Sequence, residues 1–321
     1  MKKRMIQIIL VFIESSLVAC SQSHNAKTEN IPKVIDDVDI NSEPVITKKA
    51  DTTVIESIQT EPTVSTKPTV SEIPKIVLED YSELFVDRNG CVVIYDTDKD
   101  EYHIYNEAMI NTQVSPYSTF KIVATLMGLK SHILEDENST MNYNQTKYSN
   151  ESWNHELTLY EAFQASCVWY FRQVIDGVGY NEVEKELTEL EYGNHDISEW
   201  NGAESDSPAE LKGFWLGSSL NISPMEQVQV LQKIFQEDSP YSMEQIDLLK
   251  EIMLTDEING YQILGKTGTG WSEGWYVGIA EKDSTEYYFA VYLNEEKGNK
   301  KASGATARTI LINIFCDLKL R

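Results

Sequence analysis

The chain has 321 residues, 41% of them hydrophobic, and a formal net charge of −24. Such a length allows one large domain or two ordinary ones, and the apolar content allows a sizeable core. The negative charge argues against nucleic acid as a partner, because phosphates need a basic surface. The four cysteines show no C-x-x-C spacing and the five histidines no H-x-x-x-H spacing, so we expect no bound metal and no metal-dependent mechanism.

The first 20 residues have the pattern of an export signal. Three basic residues, Lys2–Arg4, precede the apolar run Met5–Ile13, and the segment ends in Leu17-Val18-Ala19-Cys20. This ending resembles a bacterial lipobox, which implies cleavage before Cys20 and attachment of lipid to that cysteine. We therefore expect an exported protein tethered to the outer face of the cytoplasmic membrane. No later segment reaches the roughly 18 uncharged apolar residues that a membrane span needs.

Residues 21–74 contain no glycine, phenylalanine, tyrosine or tryptophan and are rich in Thr, Glu, Lys, Ser, Asp and Pro. A segment of this composition cannot bury enough apolar surface to offset the entropy of ordering it. We predict a disordered stalk with a random-coil reach of roughly 40 Å. Such a stalk would hold a folded domain of residues 75–321 clear of the lipid.

Periodicity within residues 75–321 changes from strand-like to helical and back. The predicted strands are a hairpin of Cys91–Tyr95 and Glu101–Tyr105 and, late in the chain, Ile263–Thr269, Trp275–Ile279 and Tyr287–Leu293. The predicted helices are 115–130, 158–174, 180–189, 224–237, 241–253 and 305–318. This order indicates an α+β fold, an α/β/α sandwich whose central antiparallel sheet is flanked by helices, with an all-helical subdomain inserted at about 115–255.

The helix predicted at 115–130 carries a serine and a lysine on one face. Ser115 is a good N-cap and Pro116 suits the first helical position. Ser118 then lies in the first turn, where free N–H groups and the helix dipole favour negative charge, and Lys121 lies one turn further on the same face. This places a nucleophile beside a potential base. The S-x-x-K spacing is common by chance, so by itself it does not identify a catalytic pair.

Three further motifs occur later in the chain. Ser166-Cys167-Val168 is late in a helical run, and its hydroxyl could meet Ser118 across a cleft and shuttle a proton. Tyr192-Gly193-Asn194 is turn-prone. Lys266-Thr267-Gly268 lies in a predicted strand between glycines, which often mark close approach of a ligand. Taken singly, the serine could be an ordinary helix residue and Lys266 an ordinary edge-strand lysine.

Together, S-x-x-K, S-x-V, Y-G-N and K-T-G resemble the penicilloyl-serine transferases, and specifically the class D β-lactamases, over about residues 78–320. Longer matches are Ser115 to Ile122, Ser166 to Tyr170, and Phe214-Trp215-Leu216 with Ser219 to Ser223. The resemblance implies a β-lactamase/transpeptidase-like fold and hydrolysis of β-lactam antibiotics through an acyl-enzyme.

The resemblance also assigns roles to single residues. Ser118 would be the acylated nucleophile, Lys121 the general base for acylation and deacylation, and Ser166 a proton relay. The backbone N–H groups of Ser118 and Thr269 would form the oxyanion hole. The substrate carboxylate would be bound by Lys266, Thr267 and, in a looser match, Arg308.

A free lysine is a poor base at neutral pH, but a buried neutral amine can add carbon dioxide to form a carboxylate-like carbamate. The expected apolar pocket for this base consists of Phe120, Val168 and Leu216. Trp215 offers one indole N–H to a carbamate oxygen and is counted with the catalytic residues; the alternative is a plain core aromatic. We expect no cofactor other than carbon dioxide held as a carbamate on Lys121.

Three alternatives stay open on the sequence. The first is the extracellular β-lactam sensor domain, which is acylated without turnover; such receptors commonly have asparagine where this chain has Val168, and they carry membrane spans and an H-E-x-x-H motif that do not occur in this sequence. The second is a cell-wall transpeptidase, which usually has S-x-N in the second motif. The third is a structural cell-wall anchor, which would not need four ordered motifs.

Overall fold

A mixed sheet forms the centre of the computed structural model, which describes residues 74–295 and 302–317. Within these residues seven strands lie in the order β1-β3-β2-β7-β6-β5-β4. Their bounds are β1 Lys75–Leu78, β2 Asn89–Asp96, β3 Glu101–Tyr105, β4 Leu254–Ile258, β5 Tyr261–Thr269, β6 Glu273–Lys282 and β7 Thr285–Asn294. The predicted hairpin is β2–β3. The sheet departs from the antiparallel prediction at one edge, where β1 pairs with β3 in parallel.

Seven α-helices accompany the sheet in the described residues. They are α1 Lys121–Lys130, α2 Leu159–Gln164, α3 Val168–Val178, α4 Tyr180–Glu189, α5 Pro224–Phe235, α6 Met243–Met253 and α7 Gly304–Asp317. The first six lie between β3 and β4 in the chain, which confirms the inserted helical subdomain. The α+β prediction is confirmed.

Side chains alternate between two core layers, as the period of a β-strand requires. On β2, Val93 and Tyr95 pack in the cluster shared with the helical subdomain, whereas Val92 and Ile94 pack in the cluster beneath α7. The sheet is therefore covered on both faces, and the predicted site residues of α1 and α3 lie on the face of the helical subdomain.

One predicted helix, 158–174, is two helices in the structure. α2 begins with a capping box between Thr158 and Glu161 and ends at Gln164, and α3 begins at Val168. Ser166, between them, has a φ of 55°, a left-handed conformation that a continuous helix cannot contain. The expectation that Ser166 lies within a helix is therefore wrong.

The N-terminal predictions lie outside the described residues. These are the signal peptide at 1–20, the lipidated Cys20, and the stalk as far as residue 73. Within the described residues, no helix combines the length and hydropathy needed to cross a bilayer. Cys91, Cys167 and Cys316 are free thiols.

Candidate active site

The predicted nucleophile lies in a 3₁₀ helix, Tyr117–Phe120, that runs directly into α1. Ser115 is not its cap, contrary to the prediction. The Ser115 hydroxyl donates to the backbone carbonyl of Trp215 at 2.9 Å and accepts from the N–H of Gly217 at 2.8 Å. This serine therefore fastens the segment around Trp215 to the turn that carries Ser118.

Lys121 is fully buried, and its Nζ lies 2.8 Å from Ser118 Oγ. Burial, followed by the charge of Lys266, holds the pKa of the Lys121 ammonium well below its usual value. Phe171 on α3 supplies part of the apolar wall, with its ring centre 5.5 Å from Nζ. A neutral amine at this distance can accept the proton of the Ser118 hydroxyl.

A second lysine–serine pair faces the first. Lys266, on β5, donates from Nζ to Ser166 Oγ at 3.1 Å. The left-handed backbone at Ser166 interrupts the helix and directs this hydroxyl towards β5. Burial lowers the pKa of Lys266 to about 7, so its charge is sensitive to pH near neutrality. Sequence reasoning missed Phe163, whose ring centre lies 5.6 Å from the Lys266 amine, because no local pattern connects α2 with β5.

Trp215 is fully buried, and its indole N–H has no hydrogen-bond partner among the residues that the structure describes. Its ring packs against those of Phe120 and Phe214, with centres 5.3 and 5.0 Å apart. An unpaired buried donor costs roughly 1–3 kcal/mol. The free N–H therefore suits an acceptor that is not part of the protein.

Two other members of the predicted base pocket are half-buried. Val168 is the first residue of α3, directly after Ser166-Cys167, and Leu216 follows Trp215. Leu216 packs at the margin of the core cluster that contains Phe120 and Trp215.

A small cavity of about 100 Å³ joins three of the predicted substrate-binding residues, Lys266, Thr267 and Arg308. Arg308, on the second turn of α7, is paired with Asp256 of β4: its Nη2 lies 2.7 Å from Oδ1, and its Nε donates to Oδ2 at 2.9 Å. Sequence reasoning missed Asp256, because no local signal links β4 to α7. The fourth predicted residue, Thr269, accepts the N–H of Gly304 at its hydroxyl, at 2.9 Å, which ties β5 to the start of α7.

The Tyr192-Gly193-Asn194 motif supports the site from behind. The Asn194 N–H donates to the carbonyl of Asn221 at 2.9 Å, and its side chain donates to the carbonyl of Ser219 and accepts from the N–H of Asn221. Gly193 has a φ of 57°, and a Cβ at this position would lie 2.0 Å from the Asn221 carbonyl oxygen. This triplet clamps the segment that follows Trp215.

Comparison with known proteins gives consistent matches. A family model for the penicillin-binding protein transpeptidase domain matches residues 87–315. Regulatory protein BlaR1 of Staphylococcus aureus is 34% identical over 72% of this chain, and the chain spans 39% of the length of that relative. The probable β-lactamase YbxI of Bacillus subtilis is 32% identical over 72% of this chain and 81% of its own length.

The structural comparison agrees with the sequence comparison. The class D β-lactamase BAT-2 superposes with a TM-score of 0.66 at 31% identity, over 76% of this chain and 97% of that structure. The chain belongs to the penicillin-binding protein transpeptidase domain family, in the branch that contains the class D β-lactamases.

Proposed function

We propose that this protein is a serine β-lactamase of class D, which opens the ring of β-lactam antibiotics through an acyl-enzyme on Ser118. The observation that carries the proposal is the buried Lys121 amine at 2.8 Å from Ser118 Oγ. A lysine whose pKa is lowered by burial has no ordinary structural purpose, since burying an amine against a neutral hydroxyl costs stability. Perturbed groups of this kind concentrate at catalytic sites.

The first chemical step uses the two lysine–serine pairs in succession. As Ser118 Oγ attacks the lactam carbonyl carbon, its proton passes to the base on Lys121. The backbone N–H groups of Ser118 and Thr269 stabilise the oxyanion. The C–N bond then breaks, and the ring nitrogen takes a proton from Ser166, whose hydroxyl is hydrogen-bonded to Lys266. Ser166 is reprotonated by the proton that Lys121 took from Ser118, so both side chains return to their starting protonation states. This leaves an ester on Ser118 that water must hydrolyse.

The substrate carboxylate is held beside the second lysine–serine pair. Lys266, Thr267 and Arg308 meet around one small cavity, so an anion there can be bound in spite of the chain's net charge of −24. Charge-assisted hydrogen bonds of this kind contribute about 1.5–3 kcal/mol each.

We also propose that Lys121 works as a carbamate formed with carbon dioxide. The residues fit such a group: the amine is enclosed, burial lowers its pKa and so favours the neutral form that adds carbon dioxide, and the unpaired N–H of Trp215 offers a hydrogen bond to an added oxygen. When bound, carbon dioxide supplies a carboxylate-like base that can activate the hydrolytic water. Carbon-13 NMR with labelled bicarbonate should give a carbamate signal that Trp215→Ala weakens. Absence of the signal in the wild-type protein would leave Lys121 acting as a plain amine.

Steady-state hydrolysis tests the proposed activity. The wild-type protein should open benzylpenicillin catalytically, and Ser118→Ala should remove turnover. Lys121→Ala should remove it as well, whereas Lys185→Ala, at an exposed lysine of α4, should leave it unchanged. A wild-type protein that binds penicillin in a single stoichiometric event would favour the second candidate, a β-lactam sensor domain, which the 34% identity to BlaR1 supports.

We propose further that Cys20 carries the lipid that anchors the mature protein to the outer face of the membrane. The lipobox-like sequence supports this. Cys20→Ala should move the protein from the membrane fraction to the medium or block its processing. Unchanged fractionation would remove the support for an anchor.

A further inference from the structure

A second cluster of ionisable side chains lies at the closed end of the β2–β3 hairpin. Asp96, the last residue of β2, pairs with Glu101, and His103 lies two positions later on β3. Their side chains share the sheet face of Ile94, which packs beneath α7. This is the opposite face from the proposed catalytic cleft. Asp96 and His103 are each 1% exposed and Glu101 is 7% exposed.

Each carboxylate of the cluster has one oxygen already held from outside. Asp96 Oδ1 accepts from the backbone N–H groups of Asp98 at 3.0 Å and Lys99 at 3.1 Å. Glu101 Oε2 accepts from Lys75 Nζ at 2.9 Å. The other oxygens, Asp96 Oδ2 and Glu101 Oε1, remain to face the interior of the cluster.

His103 likewise has one ring nitrogen bonded outside the cluster and the other facing its interior. Its Nδ1 lies 2.7 Å from Glu79 Oε1, and because a carboxylate accepts, this contact assigns the ring proton to Nδ1. Nε2, which then carries the lone pair, lies 3.3 Å from Glu101 Oε1. Among the described residues Nε2 has no hydrogen-bond partner. A carboxylate behind a histidine is the usual support of a metal-binding imidazole.

The inward atoms therefore form a converging set of acceptors, which only the half-exposed Lys99 ammonium approaches among the described residues. One ligand atom of each of Asp96, Glu101 and His103 lies within 4.8 Å of those of the other two, and Asp96 Oδ2 also lacks a hydrogen-bond partner in the described part of the chain. We propose that these three residues bind a divalent transition metal, and that zinc is the ion that fits best. Imidazole nitrogen with carboxylate oxygen is a zinc ligand set.

Binding an ion would draw ligand atoms that lie within 4.8 Å of one another closer together. Ligand atoms in a tetrahedral zinc site lie about 3.3 Å apart, given bonds of roughly 2.0–2.1 Å. The separation of His103 Nε2 from Glu101 Oε1 already has this value. The metal would tie the hairpin, through His103 and Glu79, to the chain just after β1.

Lys99 is the group that the metal must displace. Its ammonium lies 3.4 Å from Asp96 Oδ2 and 3.8 Å from Glu101 Oε1, and its side chain is 45% exposed. A half-exposed lysine can turn into solvent at little cost. Removing Lys99 should therefore strengthen metal binding. If the cluster were instead a structural ion-pair group completed by Lys99, removing this lysine would not produce that effect.

Calorimetric titration with zinc chloride tests the proposal, using the full chain without a polyhistidine tag and stripped with a chelator. We expect one site per chain, weakened at least about 100-fold by His103→Gln and about 10- to 100-fold by Glu79→Gln. Lys99→Met should tighten binding, and His155→Gln, at an exposed histidine, should change nothing.

Cobalt(II) provides a second readout on the wild-type protein, should His103→Gln fail to fold. Its visible absorption should be that of a four- or five-coordinate ion with nitrogen and oxygen ligands, and zinc should abolish it. Benzylpenicillin turnover should be the same with and without zinc. The proposal is overturned if the wild-type chain binds no zinc, if His103→Gln binds it as wild type does, or if Lys99→Met leaves the affinity unchanged.

Discussion

Lys121 and Lys266 reach the cleft from different directions, one from the start of α1 and the other from β5. Each lies next to a serine, and burial lowers the pKa of both ammonium groups. Lys121 has to be neutral to accept a proton, whereas Lys266 has to be charged to attract a carboxylate. The two lysines therefore set opposite requirements on pH.

The pH dependence of kcat/KM for an anionic penicillin should reflect this opposition. The parameter reports the free enzyme, in which Lys266 loses its charge as pH rises through about 7. We therefore expect kcat/KM to fall on the basic side of neutrality. Lys266→Arg, whose guanidinium stays charged, should lower the activity but remove this basic limb. An identical basic limb in the variant would assign the titration to another group.

Arg308 is the second cation, after Lys266, that we propose to bind the substrate carboxylate. Arg308→Ala should reduce kcat/KM for penicillins roughly ten- to a hundredfold, mainly through KM, because one charge-assisted contact to the carboxylate is lost. Arg308→Lys should retain part of the activity. Steady-state kinetics with a matched set of penicillins checks this. Unchanged kinetics in Arg308→Ala would mean that the arginine serves only its ion pair with Asp256.

Among the secondary-structure elements, the break between α2 and α3 is the feature that creates the second half of the site. The apolar pattern continues across Ala165–Cys167, so periodicity alone predicts one helix. Whether Ser166 adopts a left-handed conformation depends on its environment, including the lysine of β5 that it meets. Local sequence does not contain that information.

The Tyr192-Gly193-Asn194 triplet provides a test of how loops hold the site together. Gly193→Ala should destabilise the fold by at least about 2 kcal/mol, because it adds backbone strain at positive φ to a clash with the Asn221 carbonyl. Gly260→Ala is a matched control, since Gly260 has a φ of 81° and an added Cβ there would meet only the flexible Lys282 side chain, at 3.4 Å. Chemical denaturation measures both. Equal losses of stability would show that the clash is relieved and that the triplet is not a clamp.

The sequence is most informative where chemistry and local pattern coincide. The hairpin, the strand that carries Lys266 and the turn that carries Ser118 could all be located from spacing. The edge strands β1 and β4 could not, because they are short and only partly buried. Contacts made by pairing of distant segments, such as Asp256 with Arg308, leave no spacing signal. For the same reason the spacing of the histidines indicates no metal, although the fold brings His103 next to Asp96.

For the stability of the molecule as a whole, the two buried amines are a cost. Both bind protons more readily in the unfolded chain, since their pKa values are lowered in the fold. Unfolding therefore takes up protons. The contribution of each lysine to the free energy of unfolding rises with pH once pH exceeds the pKa of that lysine in the folded state. For Lys266 this window begins at about 7 and ends at the unfolded value near 10.5.

Replacing Lys121 by methionine should therefore stabilise the fold while removing activity. We expect Lys121→Met to gain roughly 1–3 kcal/mol near pH 7, because a buried amine is exchanged for an apolar chain of similar size. Denaturant titrations between pH 6 and 8 avoid the ionisation of the buried tyrosines. A variant less stable than wild type would mean that the Lys121–Ser118 contact is a net structural gain.

The lifetime of the acyl-enzyme distinguishes a β-lactamase from a sensor in a single experiment. Intact-protein mass spectrometry, with quenching from milliseconds to hours after mixing with benzylpenicillin, detects any adduct on the wild-type chain and its decay. We predict one adduct that decays within seconds, no adduct on Ser118→Ala, and an adduct that accumulates on Trp215→Ala. An adduct that persists for hours on the wild-type chain would contradict the enzyme and identify a sensor, and one that survives Ser118→Ala would contradict the site itself.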